Sequence, residues 1–404
     1  MKKVILAFSG GLDTSFCAVY LKEQGYDVIT VTADLGGFVP EELKKIEKRA
    51  KETGATKHYT IPAAEKLFNK LITRAIKTNA LYEGSYPLCA SMNRYVICEA
   101  VVDIARKENA TAVAHGCTGA GNDQVRFDIS FMSLAPDLEI IAPVRDSKFT
   151  REKETEYLEK RGIAVPKKRS RYSVDESLWG RTISGGDIDK PEKSVPEEAY
   201  EWTKPIKKTP NKQKYFKIAF EKGVPVKING KKFEHMISVK ELNRIGGTYG
   251  IGRGLYIADC TIGVKGRLAF EIPAATILIN AHKALEQMVL TRNQFIAKNF
   301  VDEFWTSLVY HAHYYDPVIK NLEAFIDSCQ ERVTGEVAME LFKGTASVLN
   351  TKSKYSMFRP EIALYGQRYS FEPKDIQGFI KLWGLQSKLS KFSGNKKIKR
   401  GGKK

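Results

Sequence analysis

The feature that most constrains this chain is a glycine turn near its start, placed between an apolar run and a helical stretch. Residues 4–8 predict a buried strand, Ser-Gly-Gly-Leu-Asp-Thr-Ser follows directly at 9–15, and residues 16–24 have helical character. The two glycines let the backbone turn sharply and approach an anion, while the free N–H groups of a first helical turn point at it. The sequence therefore predicts a phosphate-binding loop that joins a strand to a helix.

This loop is not a Walker A loop, because Leu-Asp-Thr-Ser rather than Gly-Lys-Ser/Thr follows the glycines. The pattern Ser-Gly-Gly-x-Asp-x-Ser resembles the pyrophosphate loop of ATP pyrophosphatases, which split ATP between its α and β phosphates. A glycine turn before a helix can also be an ordinary tight turn. The combination of Ser9, Asp13, Thr14 and Ser15 after a buried strand favours the phosphate site.

The first part of the chain alternates between short β-branched runs and amphipathic stretches. Strands are predicted at 28–33, 58–61, 111–115 and 139–143, and helices at 41–51, 64–80 and 93–107. This alternation is typical of a doubly wound α/β fold with a parallel sheet. Because ligands of such sheets bind beyond the carboxyl ends of the strands, the loops at 33–37 and 116–123 should face the same crevice as the first loop.

Beyond residue 166 the pattern changes. Residues 166–210 are predicted to be a long irregular connection, and 216–233 an antiparallel meander with a turn at Asn229 and Gly230. Helices are expected at 239–245, 274–309 and 373–389, and short strands between 335 and 365. The predicted organisation is an ATP-pyrophosphatase nucleotide domain (1–170), an α+β synthetase domain (171–365), a C-terminal oligomerisation helix (366–392) and a basic disordered tail (393–404).

The net charge of +18 is unevenly distributed. Eight basic residues and no acidic residue lie between position 388 and the end, so much of the excess is a solvated tail. A second basic cluster at 167–171 has no interleaved aromatic residues, which argues against a specific nucleic-acid site. No apolar run approaches the roughly 20 residues of a membrane span, and six scattered cysteines indicate a reduced, cytoplasmic protein. Histidine and cysteine spacings predict no metal-ligand set.

A second polar constellation, Gly-Cys-Thr-Gly-Ala-Gly-Asn-Asp-Gln-Val-Arg-Phe, follows a predicted strand at 116–127. Its glycines, hydroxyl, amide, carboxylate and guanidinium groups suit a small polar ligand. The predicted loop at 82–91 adds further hydroxyl groups. Asn, Asp and Thr also favour turns for structural reasons. A structural turn could explain any one of these residues, but it explains the whole set less readily than a ligand site does.

Together these stretches resemble the argininosuccinate synthase family over nearly the whole chain. The resemblance rests on residues 9–15, 86–94, 115–127, 133–145 and on Tyr-Ser-Val-Asp-Glu-Ser-Leu-Trp-Gly-Arg at 172–181. It implies an ATP-dependent, AMP-forming carbon–nitrogen ligase that condenses citrulline with aspartate through citrullyl-AMP. It further implies ATP and Mg²⁺ as co-substrate and cofactor, and a homotetramer.

The resemblance also implies three sets of site residues. ATP would bind at Ala7, Phe8, Ser9, Gly10, Gly11, Leu12, Asp13, Thr14, Ser15, Ala33 and Gly116. Aspartate would bind at Thr118, Asn122 and Asp123. Citrulline would bind at Tyr86, Ser91, Asn122, Arg126, Ser173, Thr182, Asp259 and Phe270. Catalytic roles are implied for Ser9, Asp13 and Asp123.

The chain departs from the family pattern at the citrulline end. The position that holds a citrulline-contacting Glu in the family is Ala258 here or, with a one-residue shift, Asp259. The position of the family's Tyr is Phe270. Elsewhere, Gly37 stands where the family has a Gln. Three alternatives therefore stay open: a ligase for another substrate such as an N-acylated citrulline, a tRNA thiolase that uses Cys89 and Cys117, and a non-catalytic nucleotide-binding homologue.

Overall fold

The computed structural model describes residues 2–165 and 171–392. Two compact units are distinguished, Met1–Tyr355 and Ser356–Lys404. The predicted tail at 393–404 and residues 167–170 of the basic cluster lie outside the described residues.

The first unit begins with a five-stranded parallel sheet in the order β3-β2-β1-β4-β5. Its strands are β1 (Lys3–Ala7), β2 (Asp27–Asp34), β3 (Lys57–Pro62), β4 (Ala112–Ala114) and β5 (Glu139–Ile141). The connecting helices are α1 (Leu12–Glu23), α2 (Pro40–Glu52), α3 (Ala64–Leu67), a π-helical turn (Phe68–Ile72), α4 (Thr73–Lys77), α5 (Cys89–Glu108), α6 (Asp123–Leu134), α7 (Pro143–Ser147) and α8 (Arg151–Glu159). The predicted doubly wound α/β fold is confirmed.

Helices cover both faces of this sheet, and β1 is accordingly apolar and buried from Val4 to Ala7. Val4 and Leu6 pack with Phe16 of α1 on one face, and Ile5 packs into the cluster that contains α5 on the other. Such near-continuous apolar strands are expected where helices cover both faces of a parallel sheet. The sheet thereby fixes the starts of α1 and α6 at its carboxyl edge, where the site is built.

The remainder of the first unit contains two antiparallel sheets, with the orders β10-β9-β8-β13-β14 and β11-β12-β7-β6. The strands are β6 (Ser173–Glu176), β7 (Arg181–Ser184), β8 (Lys214–Glu221), β9 (Val224–Ile228), β10 (Lys231–Lys232), β11 (Arg253–Asp259), β12 (Lys265–Glu271), β13 (Gly335–Phe342) and β14 (Thr345–Lys352). The helices are α9 (His235–Thr248), α10 (Pro273–Val289), α11 (Arg292–Tyr310) and α12 (Pro317–Gln330). One apolar cluster joins the parallel sheet and α5 to α10 and β13.

Three predictions of local structure in the first unit were wrong. The segment 166–210 is not simply irregular, since β6 and β7 lie within it. The helical region 274–309 is interrupted at Leu290, which is extended, and Thr291 caps a new helix. Helix α5 begins at Cys89, so Ser91 lies in a first helical turn rather than in a loop.

The second unit contains β15 (Ala363–Leu364), β16 (Arg368–Tyr369), α13 (Pro373–Trp383) and α14 (Leu385–Leu389). The predicted helix at 373–389 is therefore two helices, which meet at Gly384. The side chains of Phe379 and Leu382 are largely exposed. Within residues 2–165 and 171–392, no helix is long and apolar enough to cross a membrane.

Candidate functional site

The loop between β1 and α1 has the geometry of an anion-binding turn. Gly10 has a φ of +74°, a left-handed conformation that favours glycine. The hydroxyl of Thr14 closes the loop, since it lies 3.4 Å from the backbone N of Ser9 and 3.3 Å from the Ser9 hydroxyl. The free N–H groups at the start of α1 therefore stand at a preformed turn, as phosphate binding requires.

The loop after β4 lies directly against the first turn of α1. A Cβ on Gly116 would lie 3.2 Å from the carbonyl carbon of Asp13 and 3.3 Å from the backbone N of Thr14, so a larger residue would push the two loops apart. Strands β1 and β4 are neighbours at the reversal of strand order, where ligands of doubly wound sheets bind. The structure thus joins the predicted ATP residues at 7–15 with Gly116.

Ala33, the remaining predicted ATP residue, lies near the end of β2. The neighbouring Thr32 hydroxyl donates a hydrogen bond of 2.6 Å to the carbonyl of Phe8 and fixes β2 to the nucleotide loop. The loop that follows contacts the connection between β6 and β7, where the Leu178 N–H donates to the Leu35 carbonyl at 2.8 Å. Of the three loops predicted to face one crevice, this one is covered in part by the β6–β7 hairpin.

Two carboxyl groups meet beside the nucleotide loop. Asp13 is in the first turn of α1, and Glu154, which is 1% exposed, extends from α8. Burial, and then the charge of Asp13, raises the pKa of Glu154 to about 8. A hydrogen bond between the two carboxyl groups contributes to the same shift, and no other group of the described chain donates a hydrogen bond to Asp13 Oδ1 or Glu154 Oε2. The Nε of Arg151 lies 3.8 Å from Asp13 Oδ1.

A network of two arginines and two aspartates surrounds the start of α6. Asp123 accepts hydrogen bonds from Arg94 at 2.7 Å and from Arg126 at 3.0 Å. Arg94 also donates to Asp175 on β6, and Asp175 accepts a bond of 2.6 Å from Asn93. Burial by itself would raise the pKa of Asp123, but the two arginines lower it below its usual value. Asp123 is therefore an oriented, anionic carboxylate that can hold an ammonium group.

Asn122 and Arg126, which flank Asp123, are held by residues from later in the chain. Asn122 donates to the Tyr310 hydroxyl at 3.1 Å and accepts from the backbone N of Thr261 at 2.7 Å. The Nε and NH2 groups of Arg126 both donate to the Tyr310 carbonyl, at 3.1 and 2.9 Å. The guanidinium fork is thus shared between Asp123 and Tyr310. A carboxylate ligand would have to replace one of these acceptors.

Other predicted citrulline residues meet at an aromatic wall. The buried ring of Tyr86 stacks on Tyr256, with ring centroids 4.8 Å apart, and lies 5.7 Å from the ring of Phe270. Phe270 pairs across the sheet with Thr182. Ser91 is fully buried, and its hydroxyl makes no hydrogen bond to the part of the chain that the structure describes. That hydroxyl is available to a polar ligand.

The last three predicted site residues are more peripheral. Thr118 is exposed in the loop between β4 and α6, and Ser173 is exposed on the edge strand β6. Asp259 lies at the end of β11 and forms a 2.6 Å ion pair with Lys265 across the hairpin. Strand alternation places Asp259 on the face opposite to Tyr256, so in this structure its partner is Lys265 rather than a residue of the aromatic wall.

Sequence reasoning missed Arg94, Asp175 and Glu154 as site residues. Arg94 and Asp175 lie in stretches that carry the family resemblance, which was a usable signal, but they are 81 positions apart. Glu154 lies in a charged helix whose pattern is typical of a solvated face. Nothing in its local sequence indicates that it is buried beside Asp13.

Both halves of the chain match models of one protein family. The model described as "Arginosuccinate synthase N-terminal HUP domain" matches residues 3–164, and "Arginosuccinate synthase C-terminal domain" matches residues 172–390. The chain belongs to the argininosuccinate synthase family. The family predicted from the sequence motifs is therefore confirmed.

Curated family members match the chain over almost its whole length. The argininosuccinate synthase of Methanocaldococcus jannaschii is 45% identical over 395 residues, which are 97% of this chain and 99% of that protein. Those of Pyrococcus furiosus and Dictyoglomus turgidum are 44% and 43% identical, covering 96% and 98% of this chain and 94% and 99% of theirs. Membership of this family makes the chain an ATP-dependent ligase.

Proposed function

We propose that the chain condenses citrulline with aspartate at the expense of ATP and forms argininosuccinate, AMP and pyrophosphate. The observation that carries this proposal is the close approach of Gly116 to the first turn of α1. It supports a site in which a nucleotide loop adjoins the loop that leads to Asp123. An anion cradle beside an oriented carboxylate suits a reaction between ATP and two amino acids.

In the first step, the ureido oxygen of citrulline would attack the α-phosphorus of ATP, and pyrophosphate would leave with the electrons of the broken bond. Alignment of the weak ureido nucleophile and stabilisation of the leaving pyrophosphate are what a protein can contribute. The N–H groups around residues 9–15 support the second role. Mg²⁺, which we expect to accompany ATP, would neutralise part of the phosphate charge.

In the second step, the amine of aspartate would attack the activated carbon of citrullyl-AMP and AMP would leave. The anionic Asp123 would orient this amine, with Thr118 and Asn122 as further contacts for aspartate. Citrulline would lie along Tyr86, Ser91, Thr182 and Phe270, with Asn122, Arg126 and Ser173 as the remaining predicted contacts. Asp259 is not included, because it pairs with Lys265 on the other face of β11. Ser9 and Asp13 would act on the nucleotide.

The thiolase alternative is not favoured. Burial raises the pKa of the Cys89 thiol to about 12 and also raises that of Cys117. A nucleophilic cysteine needs the thiolate form near neutral pH. The reaction proposed above requires no protein nucleophile.

We further propose that the protein is a cytoplasmic homotetramer in which the C-terminal helices contact a neighbouring copy. The exposed Phe379, Ile380 and Leu382 on α13 support this, because a helix side this apolar is normally covered. Truncation before Pro373 should lower the mass measured by light scattering. An unchanged mass would contradict the arrangement. The sequence-based domain boundaries, with divisions after 170, 365 and 392, stay predictions.

The reaction is tested by measuring pyrophosphate release with ATP, citrulline and aspartate together and with each one omitted. Release should require all three, and mass spectrometry should identify argininosuccinate. Asp13→Ala should lower kcat with a smaller effect on the KM for aspartate. Full turnover with citrulline omitted, or release only with tRNA, would refute the proposed function.

A further inference from the structure

The side chain of Asn122 does not serve the helix that it starts. Asn122 is the N-cap residue of α6, a position where an Asn side chain usually accepts a hydrogen bond from the first helical turn. In this structure the side chain makes no such bond. Its amide is instead held by Thr261 and Tyr310, which come much later in the chain. Helix capping therefore does not explain an Asn at this position.

The two contacts fix the direction of the amide. A backbone N–H can only donate, so the Asn122 atom 2.7 Å from the Thr261 nitrogen must be Oδ1. Nδ2 must then be the atom that faces the Tyr310 hydroxyl, 3.1 Å away. Nδ2 has a second N–H, and Oδ1 has a second lone pair. The amide therefore presents one donor and one acceptor in fixed directions.

Tyr310 is held firmly at the end of α11. It is 2% exposed, and its ring stacks on that of Tyr82 with centroids 3.6 Å apart and planes 7° apart. The guanidinium carbon of Arg126 lies 4.9 Å from the centroid of the same ring. Two N–H groups of Arg126 also bind the Tyr310 carbonyl, where the end of a helix favours a cation. A hydroxyl on a ring fixed in this way is an acceptor with a defined position.

We propose that Tyr310 is a positioning residue for both amino-acid substrates, and that its hydroxyl holds the Asn122 amide in the direction that they require. Asn122 is the only residue common to the predicted citrulline and aspartate contacts, an assignment that rests on the proposed function. A hydroxyl that acts through Asn122 should therefore influence the binding of both substrates. It should not influence ATP, because α1 and the loops at its start build the nucleotide site.

Tyr310→Phe tests this directly. The variant removes the hydroxyl but keeps the ring, its stack on Tyr82 and the carbonyl that holds Arg126. Initial rates of pyrophosphate release, with each substrate varied in turn, give three KM values. The KM for citrulline and the KM for aspartate should each rise about three- to tenfold, as expected for the loss of one neutral hydrogen bond. The KM for ATP should stay within about twofold of the wild type.

Tyr95→Phe is the matched control. The Tyr95 hydroxyl is also buried at the end of α11, but its partner is the backbone carbonyl of Val309, to which it donates at 2.5 Å. This variant should lose thermal stability and keep all three KM values within about twofold of the wild type. Equal rises in Tyr95→Phe and Tyr310→Phe would overturn the proposal, because they would report only a loosened helix end. If Tyr310→Phe does not fold, as judged by circular dichroism, Tyr310→4-fluorophenylalanine, which fills the space of the hydroxyl, takes its place.

A double-mutant cycle tests whether the effect passes through Asn122. The Tyr310 hydroxyl also interacts with that of Tyr256 in the aromatic wall, which offers a second route to citrulline. In an Asn122→Ala background, Tyr310→Phe should change neither amino-acid KM further. If this background is too slow for rate measurements, calorimetry gives the dissociation constants of citrulline and aspartate in the same four proteins, with the same expectation. An effect that persists without Asn122 would overturn the proposal.

The outcomes separate this role from the proposed function. If pyrophosphate release by the wild type requires all three substrates, but Tyr310→Phe leaves the KM values for citrulline and aspartate unchanged, the role of Tyr310 alone is overturned. A rise in only one of these two values, or an equal rise in the KM for ATP, also overturns it. Full release by the wild type without citrulline would overturn the proposed function, and the role of Tyr310 with it.

Discussion

Asp175 should control aspartate binding without contacting aspartate itself. Its carboxylate accepts hydrogen bonds from Arg94 and from Asn93, and Arg94 in turn donates to Asp123 at 2.7 Å. The Arg94 side chain is only 14% exposed. Asp175→Ala would therefore leave a nearly buried guanidinium with one carboxylate partner and free to turn away from Asp123.

The magnitude follows from the number and kind of bonds removed. A hydrogen bond to a charged group contributes about 1.5–3 kcal/mol, which corresponds to roughly 10- to 150-fold in an equilibrium constant. If that energy orients Asp123, the KM for aspartate should rise by about tenfold or more. The KM for ATP should stay within about twofold, since β1 and α1 build the nucleotide loop. Asp175→Asn keeps the shape and one acceptor and should be intermediate.

Initial rates of pyrophosphate release, with aspartate and ATP varied separately, measure both KM values. Asp137→Ala is the control, because it also removes an Asp–Arg pair, with Arg106, but an exposed one. Exposed pairs contribute about 0–1 kcal/mol, and neither KM should change in this variant. If Asp175→Ala lowers thermal stability but leaves the KM for aspartate unchanged, the bridge is structural and the reasoning is refuted.

Three further predictions concern other parts of the molecule. Arg126→Lys keeps the charge but loses the forked guanidinium group that Asp123 and Tyr310 share. The KM for citrulline should therefore rise about tenfold or more, while the KM for ATP stays near that of the wild type. Equal changes in both KM values would contradict the assignment of Arg126 to the citrulline site. Gly37→Ala would put a Cβ 2.6 Å from the carbonyl oxygen of Glu176 and should destabilise the protein by about 1–3 kcal/mol, whereas Gly121→Ala, which meets open space, should leave the melting temperature unchanged. Burial raises the pKa of Asp302 to about 7 despite its Lys298 partner, so the folded state binds more protons than the unfolded state and the free energy of unfolding falls as the pH rises from 4 to 7. In urea unfolding, Asp302→Asn should remove about 2–3 kcal/mol of the fall in the free energy of unfolding between pH 5 and 8. An unchanged pH dependence would contradict this.

The parallel sheet could be predicted because its pattern is local. Each of its strands contains β-branched residues and is followed by a helix, and the glycine turn at residues 9–15 marks where the first strand and helix meet. Strands β6 and β7 were missed because each has four residues, and Ser-Val-Asp-Glu and Arg-Thr-Ile-Ser contain few apolar positions. Short, polar strands acquire their structure from their neighbours, which a local pattern does not record.

The same limit applies to the site. Asp123 was identified because its surrounding motif is contiguous, but its partners Arg94 and Asp175 come from α5 and β6. Asp259 was expected to replace a family carboxylate because register was judged from spacing alone. In the structure, strand alternation and the pair with Lys265 direct it to the other face.

The most direct test of the central claim follows one oxygen atom. Citrulline labelled with ¹⁸O in its ureido group is incubated with ATP, aspartate and the enzyme, and the products are analysed by mass spectrometry. Attack of that oxygen on the α-phosphorus predicts one ¹⁸O atom in AMP and none in pyrophosphate. Unlabelled AMP formed together with argininosuccinate would contradict the adenylation step, and label in pyrophosphate would show attack at the wrong phosphorus.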